Sequence, residues 1–204
     1  DQGLVLPPAL APEQVVVVPI WDEANKETVL GYAEAVADDV GEAARVHLDD
    51  RENRNPGFKY NEWELKGVPL RIEIGPNEAA DDEVTLVHRP DGETAIADRE
   101  GVAETVQEHL DTVYAKLFAS AEETLEGEIR EAGSREEILG TIGQHGGYVK
   151  AGWCGDEACE EPIKDAIAAE IVMVPLDRDE TPVHDDCAIC GEPAEETAYF
   201  AQSY

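Results

Sequence analysis

Basic residues are scarce in this sequence. Its 204 residues contain 15 Lys and Arg against 47 Asp and Glu, so the formal net charge is −32. The acidic residues are spread evenly among periodic apolar segments, which argues against a disordered chain or an acidic tail. We interpret the composition as an adaptation to molar salt, where a Debye length of about 3 Å screens most of the self-repulsion.

Long apolar runs are also absent. No run reaches the roughly 18 residues that a membrane span requires, and the first residues contain neither the basic nor the apolar stretch of a secretion signal. The glycine-rich run GQHGG at 143–147 lacks the Lys-Ser/Thr of a phosphate-binding P-loop, so a simple turn is expected there. The sequence therefore predicts a cytoplasmic protein with no membrane partner.

Cysteine is equally rare, and all four cysteines lie in the last 51 residues. They form a C-x4-C pair and a C-x2-C-G pair separated by 27 residues: Cys154, Cys159, Cys187 and Cys190. Two such pairs can hold one tetrahedral metal ion if each sulfur lies about 2.3 Å from it, so we predict a structural Zn²⁺ site. Two disulfides or free buried thiols are the alternatives, although disulfides are disfavoured in the cytoplasm. His184 or Asp186 could also replace one sulfur.

The few basic residues cluster between positions 45 and 71. This window holds six basic and five acidic residues, for a net charge of +1, whereas the rest of the chain carries −33. Such a near-neutral island predicts contact with an anionic partner. The candidate cations for this contact are Arg54, Lys59, Lys66 and Arg71.

Two aromatic side chains flank these cations. Phe58 and Trp63 could stack on unpaired bases, as happens in the recognition of single-stranded RNA. Packing of a short helix against a sheet is the alternative, which we favour for Trp63 and leave open for Phe58. Arg71 is expected on the exposed face of its strand, unless it pairs with Glu64 or Glu73.

Strand and helix patterns alternate in the first half of the chain. A β-branched run predicts a first strand that is buried on both faces. Gly67 and Pro69 predict the end of a short helix, and the Asn-Pro-Gly run before that helix predicts a turn. In chain order we expect a linker (1–12), a strand (14–20), a helix (22–40), a strand (44–48), a helix (60–66), a strand (70–74), a hairpin (83–88 and 93–97) and a long helix from Arg99. This order predicts an α/β domain with a mixed sheet over about residues 13–116.

The second half predicts a small α+β domain. Helices are expected at 134–142 and 160–170, and strands at 171–176 and 198–203. The boundary falls inside the long helix. We therefore assign residues 117–204 to this domain, which contains all four cysteines.

Two long runs resemble a known family. NPGFKYNEWELKGVPLRIEIGP (55–76) and GLVLPPALAP (3–12), together with the C-terminal cysteines and the final Ser203-Tyr204, resemble the prolyl-tRNA synthetases of the archaeal and eukaryotic-like type. The resemblance implies a linker following class II motif 3, a mixed-sheet class II anticodon-binding domain and a small α+β zinc-containing domain. It also strengthens the prediction of zinc at the cysteines.

The resemblance further implies a function. A synthetase of this family ligates proline to tRNA-Pro with ATP and Mg²⁺, and the full-length enzyme is expected to form a homodimer. Because the motifs of the catalytic domain have no counterpart here, we expect the chain to be an inactive fragment that recognises the anticodon. The resemblance then implies RNA binding by Arg54, Lys59, Lys66 and Arg71, with Glu64 as a candidate acceptor for a guanine edge. Two alternatives remain: a free-standing RNA-binding module, and a zinc-ribbon interaction protein without catalysis.

Overall fold

The computed structural model describes residues 3–176 and 182–202, which form two compact units, 1–120 and 121–204. Ser203 and Tyr204, which contribute to the family resemblance, lie outside the described residues. Within the described residues, none of the helices combines the length and the apolar character needed to span a membrane.

The first unit is built on a five-stranded mixed sheet with the strand order β2-β1-β3-β4-β5. β1 is parallel to β2 and β3, whereas β4 and β5 are antiparallel additions to this parallel core. The strands are β1 (Val15–Pro19), β2 (Val46–Leu48), β3 (Leu70–Ile74), β4 (Glu83–His88) and β5 (Thr94–Asp98). The predicted mixed-sheet α/β fold and its hairpin are therefore confirmed.

The continuous β-branched run of β1 is explained by two cores, one on each face of the sheet. Val15 and Val17 belong to the larger core, and Val16 and Val18 pack with Trp63 in the smaller one. Because successive side chains of a strand point to opposite faces, a strand covered on both sides must be apolar at every position. The prediction that Trp63 packs in the core is confirmed.

Four helices cover the sheet, and their first residues differ from the predicted ones. They are α1 (Lys26–Gly41), α2 (Pro56–Lys66), α3 (Pro76–Asp81) and α4 (Val102–Gly127). α1 begins later than predicted, since the Asp22 carboxylate accepts hydrogen bonds from the backbone amides of Ala24 and Asn25 and forms a separate turn. The short helix α3 was not predicted.

α2 begins four residues earlier than predicted. The Asn-Pro-Gly run is the start of the helix rather than a separate turn, because the Asn55 side chain accepts a hydrogen bond of 2.8 Å from the amide of Phe58 and Pro56 occupies the first helical turn. The helix ends as predicted at Gly67, whose φ of 77° is readily adopted only by glycine.

Residues 3–12, predicted as a linker, lie against the first unit. The amide of Leu4 donates to the carbonyl of Leu65, and Ala11 is buried. The guanidinium of Arg45 donates to the carbonyls of Pro8 and Ala11 at 3.0 and 2.8 Å. These contacts attach the segment to α2 and to the start of β2.

α4 begins in the first unit and ends in the second. The buried part of this helix is shorter than the part with apolar periodicity. Its buried residues are Val102, Val106, Leu110 and Val113. The predicted apolar stripe continues to Leu125, but that side chain is 52% exposed. The apolar periodicity correctly predicted a helix here but did not indicate which of its residues are buried.

The second unit contains a four-stranded sheet with the strand order β6-β7-β9-β8. Its strands are β6 (Ile129–Glu131), β7 (Tyr148–Trp153), β8 (Ala169–Met173) and β9 (Glu196–Gln202), and its helices are α5 (Arg135–His145) and α6 (Glu161–Ile167). Among the residues of this unit that the structure describes, one apolar cluster forms the core, and it includes Ile138, Val149, Ile163 and Phe200. The unit is α+β, as predicted, although neither β6 nor β7 was predicted.

Candidate functional site

A buried carboxylate anchors α2 to the end of β2. Asp49 directly follows β2, is fully buried, and accepts hydrogen bonds from Arg51 Nε and Nη2 at 2.8 and 2.7 Å. The indole Nε1 of Trp63 donates to the same carboxylate at 2.8 Å. Burial alone would raise the pKa of Asp49, but these donors outweigh it and lower the pKa to about 2. Asp49 is therefore charged at neutral pH and joins α2 to the sheet.

Lys59, predicted to bind RNA, is instead part of this buried network. Its side chain is 1% exposed, and Nζ donates to the backbone carbonyl of Asp49 at 2.8 Å. The ammonium also lies 4.7 Å from the centre of the Trp21 ring. Burial lowers the pKa of Lys59. The prediction of direct RNA contact is corrected here, because a side chain this deeply buried does not present its charge to a ligand.

Lys66 is held on the surface of α2 by two contacts. Glu62 accepts from Arg51 at 2.8 Å and pairs with Lys66 at 2.9 Å, and the Lys66 ammonium lies 4.0 Å from the centre of the Trp63 ring. The hydrogen bond from Arg51 and then that from Lys66 lower the pKa of Glu62. The Lys66 side chain is 49% exposed, so its charge remains available to a partner.

Arg71 of β3 is positioned by two carboxylates and an aromatic ring. Its Nη1 donates to Glu64 at 3.1 Å, its Nε donates to Glu73 at 2.9 Å, and the guanidinium lies 4.1 Å from the centre of the Tyr60 ring. Both of the ion pairs that we considered from the sequence are therefore formed. The guanidinium is mostly buried and has one defined orientation.

A recess of about 450 Å³ brings Glu64 and Arg71 together. It lies between the C-terminal half of α2 and the ends of β3 and β4, and it is lined by Val16, Trp63, Glu64, Val68, Arg71, Val87, His88, Arg89, Pro90, Asp91, Gly92 and Thr94. A carboxylate beside a guanidinium offers both an acceptor and a donor. A guanine has donors on its Watson–Crick edge and acceptors at O6 and N7, so this pair suits an unpaired guanine.

The rim of the recess contains a cluster that sequence reasoning missed. Lys116 of α4 donates to Asp91 at 2.6 Å, contacts Glu93, and lies 3.4 Å from His88 Nδ1. The other ring nitrogen of His88 lies 2.6 Å from Nδ1 of His109. Burial, followed by His109 and Lys116, lowers the pKa of His88. His88, Asp91 and Glu93 are close enough to one another to hold a metal ion. The Lys116 ammonium already lies among them, however, and balances the charges of the two carboxylates.

This cluster carried little signal in the sequence. His88, Asp91 and Glu93 come from the β4–β5 hairpin. The two other members, His109 and Lys116, come from α4, about 20 residues further along the chain. Arg89, which also lines the recess and donates to the carbonyl of Glu64 at 3.3 Å, lies outside the basic window. Only the pairing of β3 with β4 brings these groups beside α2.

The four cysteines of the second unit converge on one point. All four sulfurs lie within 4.8 Å of one another. The sulfur of Cys154 is 3.6 Å from that of Cys159 and 3.7 Å from that of Cys190. Four sulfurs at about 2.3 Å from a tetrahedral zinc would be about 3.8 Å apart. The distances therefore fit a metal site and are too long for the disulfide alternative, whose bond length is about 2.05 Å.

Local backbone structure aims each cysteine pair at this point. Cys154 follows β7 and Cys159 closes a 3₁₀ turn, while Cys187 and Cys190 share a tight turn in which the amide of Gly191 donates to the carbonyl of Cys187. A side chain at Gly152 would meet the carbonyl of Asp186 at 2.6 Å, so glycine permits the close approach of β7 to this turn. Neither His184 nor Asp186 joins the four-cysteine group.

The sulfurs differ in their electrostatic surroundings. Burial raises the pKa of Cys159. Burial also opposes ionisation of Cys187, but the backbone amides of Cys190 and Ile189 donate to its sulfur and lower its pKa to about 7. Amide donors of this kind stabilise a thiolate, which is the form that binds a metal.

The fold and these two sites describe a mixed-sheet α/β domain joined to a small α+β domain whose four cysteines could hold a metal ion. A family model described as an anticodon binding domain matches residues 14–109, and one described as the C-terminal domain of prolyl-tRNA synthetase matches residues 135–204. The chain therefore belongs to the prolyl-tRNA synthetase family, and it matches the anticodon-binding and C-terminal parts.

Curated relatives agree with this assignment over the whole chain. The chain is 78% identical to the proline–tRNA ligase of Haloarcula marismortui and 68% identical to that of Halorubrum lacusprofundi, and it covers 42% and 43% of their lengths. It is 37% identical to the proline–tRNA ligase of Thermococcus kodakarensis, of which it covers 43%. The haloarchaeal relatives fit the interpretation of the acidic composition as an adaptation to salt. The chain thus spans less than half the length of these relatives.

Proposed function

We propose that this chain recognises the anticodon loop of tRNA-Pro through the recess between α2 and the β3–β4 strands. The main support is that Glu64 and Arg71 lie side by side in that recess, with Arg71 Nη1 3.1 Å from Glu64 Oε1. Both residues belong to the part of the chain that matches an anticodon-binding domain. Their acceptor and donor groups complement the edges of an unpaired guanine. Such hydrogen bonds persist in molar salt, whereas binding by counterion release does not.

The sequence candidates take different parts in this proposal. Glu64 accepts from the base, Arg71 donates to it, and Lys66, fixed over Trp63, contributes a charge beside the recess. Lys59 is excluded from direct contact by its burial. Arg54 lies at the opposite end of α2 and does not line this recess.

We also propose a structural Zn²⁺ held by Cys154, Cys159, Cys187 and Cys190. The support is a donor set of four sulfurs whose separations suit a tetrahedral ion. Four thiolates would leave no coordination position for water, so zinc here would stabilise the fold rather than catalyse a reaction. We further propose the following domain division: a linker segment at 1–12, an anticodon-binding domain at 13–116 and a zinc-binding domain at 117–204.

The activity of the whole enzyme is a further proposal. A ligase that joins proline to tRNA-Pro with ATP and Mg²⁺ would use this chain for tRNA recognition and would perform the chemistry in a catalytic domain outside these 204 residues. We place that enzyme in the cytoplasm and expect it to be a homodimer. The 204-residue chain alone should therefore show no proline-dependent exchange between ATP and pyrophosphate, and exchange by a pure preparation would contradict the proposal.

The RNA proposal is tested by binding at 2 M KCl. The probes are a proline anticodon stem-loop and a matched stem-loop in which the two guanines shared by all proline anticodons are replaced. Glu64→Ala and Lys66→Ala should each weaken binding of the first probe by about 1–3 kcal/mol and reduce the preference between the probes. Asp38→Ala, an exposed acidic position on α1, is the matched control and should change neither quantity.

The outcomes separate the candidate functions. Equal losses for both probes would mean that these residues contact phosphate only, as in a free-standing RNA-binding module without anticodon preference. If the unmodified chain binds neither probe, the zinc-ribbon interaction protein becomes the better explanation.

A further inference from the structure

Arg54 differs from the other cations of this acidic chain. Among the Lys and Arg side chains of residues 3–176 and 182–202, it is the one for which the structure gives neither an ion pair nor a hydrogen bond. Every other such side chain contacts a carboxylate, as Lys26, Arg71 and Lys116 do, or a backbone carbonyl, as Arg45 does. In a chain with 47 acidic residues, a guanidinium without an internal partner is available to an external anion.

An aromatic ring rather than a carboxylate holds this guanidinium in place. The central carbon of the Arg54 guanidinium lies 4.5 Å from the centre of the Phe58 ring, and Phe58 is 45% exposed on the first turn of α2. Such a contact orients the guanidinium and leaves its charge uncompensated. Arg54 therefore presents a flat, oriented cation.

A second recess, of about 430 Å³, adjoins Arg54. It is lined by Pro19, Trp21, Glu52, Asn53, Arg54, Asn55, Pro56 and Lys59. Arg54 lines this recess, and the ring on which its guanidinium rests belongs to Phe58, which does not. The charge of Glu52 is balanced by Lys26 at 2.6 Å, and the buried Lys59 ammonium donates to the carbonyl of Asp49, which leaves Arg54 as the exposed, uncompensated charge of the recess.

The chemistry of this recess specifies its occupant. A planar cation backed by an aromatic ring, a tryptophan in the wall and amide side chains at the edge suit a flat, polar ligand that carries negative charge. Unpaired bases are commonly bound by stacking on guanidinium planes and aromatic rings. A carboxylate or a free phosphate would pair with the N–H edge of the Arg54 guanidinium but would use neither its flat face nor the apolar wall.

We propose that this second recess binds one unpaired nucleotide of the same RNA, with its base stacked on the Arg54 guanidinium. The proposal rests on the proposed recognition of the anticodon loop and adds a second contact to it. The two recesses share no lining residue and lie at opposite ends of α2. Pro56 and Glu64 are eight residues apart, about 12 Å along the helix, so different nucleotides fill the two recesses.

The test uses the 204-residue chain at 2 M KCl with proline anticodon stem-loops that carry 2-aminopurine at one loop position at a time. The fluorescence of this base is quenched when it stacks. For the unmodified chain we expect a loop position, other than the two guanines, at which binding changes the fluorescence. Arg54→Ala and Phe58→Leu should abolish that change and weaken binding roughly tenfold, with the preference for the two guanines retained.

Two further variants sharpen the result. Arg54→Lys keeps the charge but removes the plane, so it should behave like Arg54→Ala; wild-type affinity and fluorescence for Arg54→Lys would overturn stacking. Arg99→Ala is the matched control, because Arg99 also lies over an aromatic ring, that of Tyr32 at 5.5 Å, but is paired with Asp39. It should leave RNA binding unchanged. Thermal melts of all variants establish that they are folded.

Failure of this proposal can be told apart from failure of the anticodon proposal. If the unmodified chain distinguishes the two guanines but Arg54→Ala changes neither affinity nor fluorescence, the second recess is not an RNA site and the anticodon proposal stands. If the unmodified chain does not distinguish the guanines, the anticodon proposal fails, and the assignment of the second recess to the same RNA fails with it.

Discussion

The two units have the same formal net charge but very different hydrophobic cores. Residues 1–120 contain 10 basic and 26 acidic residues, and residues 121–204 contain 5 basic and 21 acidic ones, so each unit has a formal charge of −16. The first unit packs apolar clusters on both faces of a five-stranded sheet, whereas the second has one cluster that contains several alanines. The second unit therefore has more charge per residue and less apolar burial to oppose it.

From this difference we infer that the two units are stabilised in different ways. The first unit relies on burial of apolar surface, since Val, Leu and Ile fill its larger core and Val and Trp63 fill its smaller one. The second unit is a domain of about 80 residues, a size at which a core alone supplies only a few kcal/mol. A metal held by four thiolates would supply the rest, because its binding free energy becomes folding free energy.

The largest effect is expected from removing half of the metal site. Cys187→Ser with Cys190→Ser leaves two ligands, which cannot retain zinc, so the second unit should unfold while the first keeps its structure. Metal analysis together with limited proteolysis measures both outcomes. Gln144→Ser, an exposed position on α5, is the control. A double variant with full metal content and intact protease resistance would refute the zinc proposal.

Dilution of salt tests the charge comparison. Lowering KCl from 2 M to about 0.1 M lengthens the Debye length to about 10 Å, so the acidic residues of each unit repel one another. We expect the second unit to unfold first, and limited proteolysis at each salt concentration should show residues 121–204 losing protection before residues 1–120. Lowering the pH to about 4.5 should partly restore order, because protonation of carboxylates reduces the charge. Stability independent of salt would contradict the halophilic interpretation.

The first unit has a polar weak point at Asp49. Asp49→Ala removes the carboxylate that accepts from Arg51 and from the Trp63 indole and that lies 3.9 Å from the Lys59 ammonium, so it should lower the free energy of unfolding of this unit by about 3 kcal/mol. Asp50→Ala, at the exposed neighbouring position, should cost much less. Denaturant unfolding at 2 M KCl measures the difference. Similar values for the two variants would show that the network around Asp49 contributes little.

A smaller effect is expected from acid. The folded pKa of Asp49 is about 2, below its ordinary 3.8, so its contribution is complete above about pH 4 and is lost as the pH falls towards 2. The loss should be about 2 kcal/mol. It is measured as the change in unfolding free energy between pH 5 and pH 2 for the unmodified chain minus that for Asp49→Asn. An equal change in both proteins would exclude Asp49 as the titrating group.

Local patterns were sufficient for much of this description. The β-branched run of β1, the stop at Gly67 and the alternation of β3 and β4 depend on steric and solvation preferences of a few adjacent residues, and the structure confirms them. The spacing of the cysteines likewise predicted the grouping of their sulfurs. The basic window correctly drew attention to Glu64 and Arg71, which share a recess.

Contacts between distant segments decided the rest. Whether a lysine of the basic window faces solvent depends on the rotation of α2 against the sheet, which buries Lys59 over Trp21 and leaves Lys66 on the surface. The cluster of His88, His109 and Lys116 exists only because α4 packs beside the β4–β5 hairpin. Charge and periodicity are local properties of a sequence. Burial and pairing are properties of the packed chain, and they determine which of its charged side chains can meet a ligand.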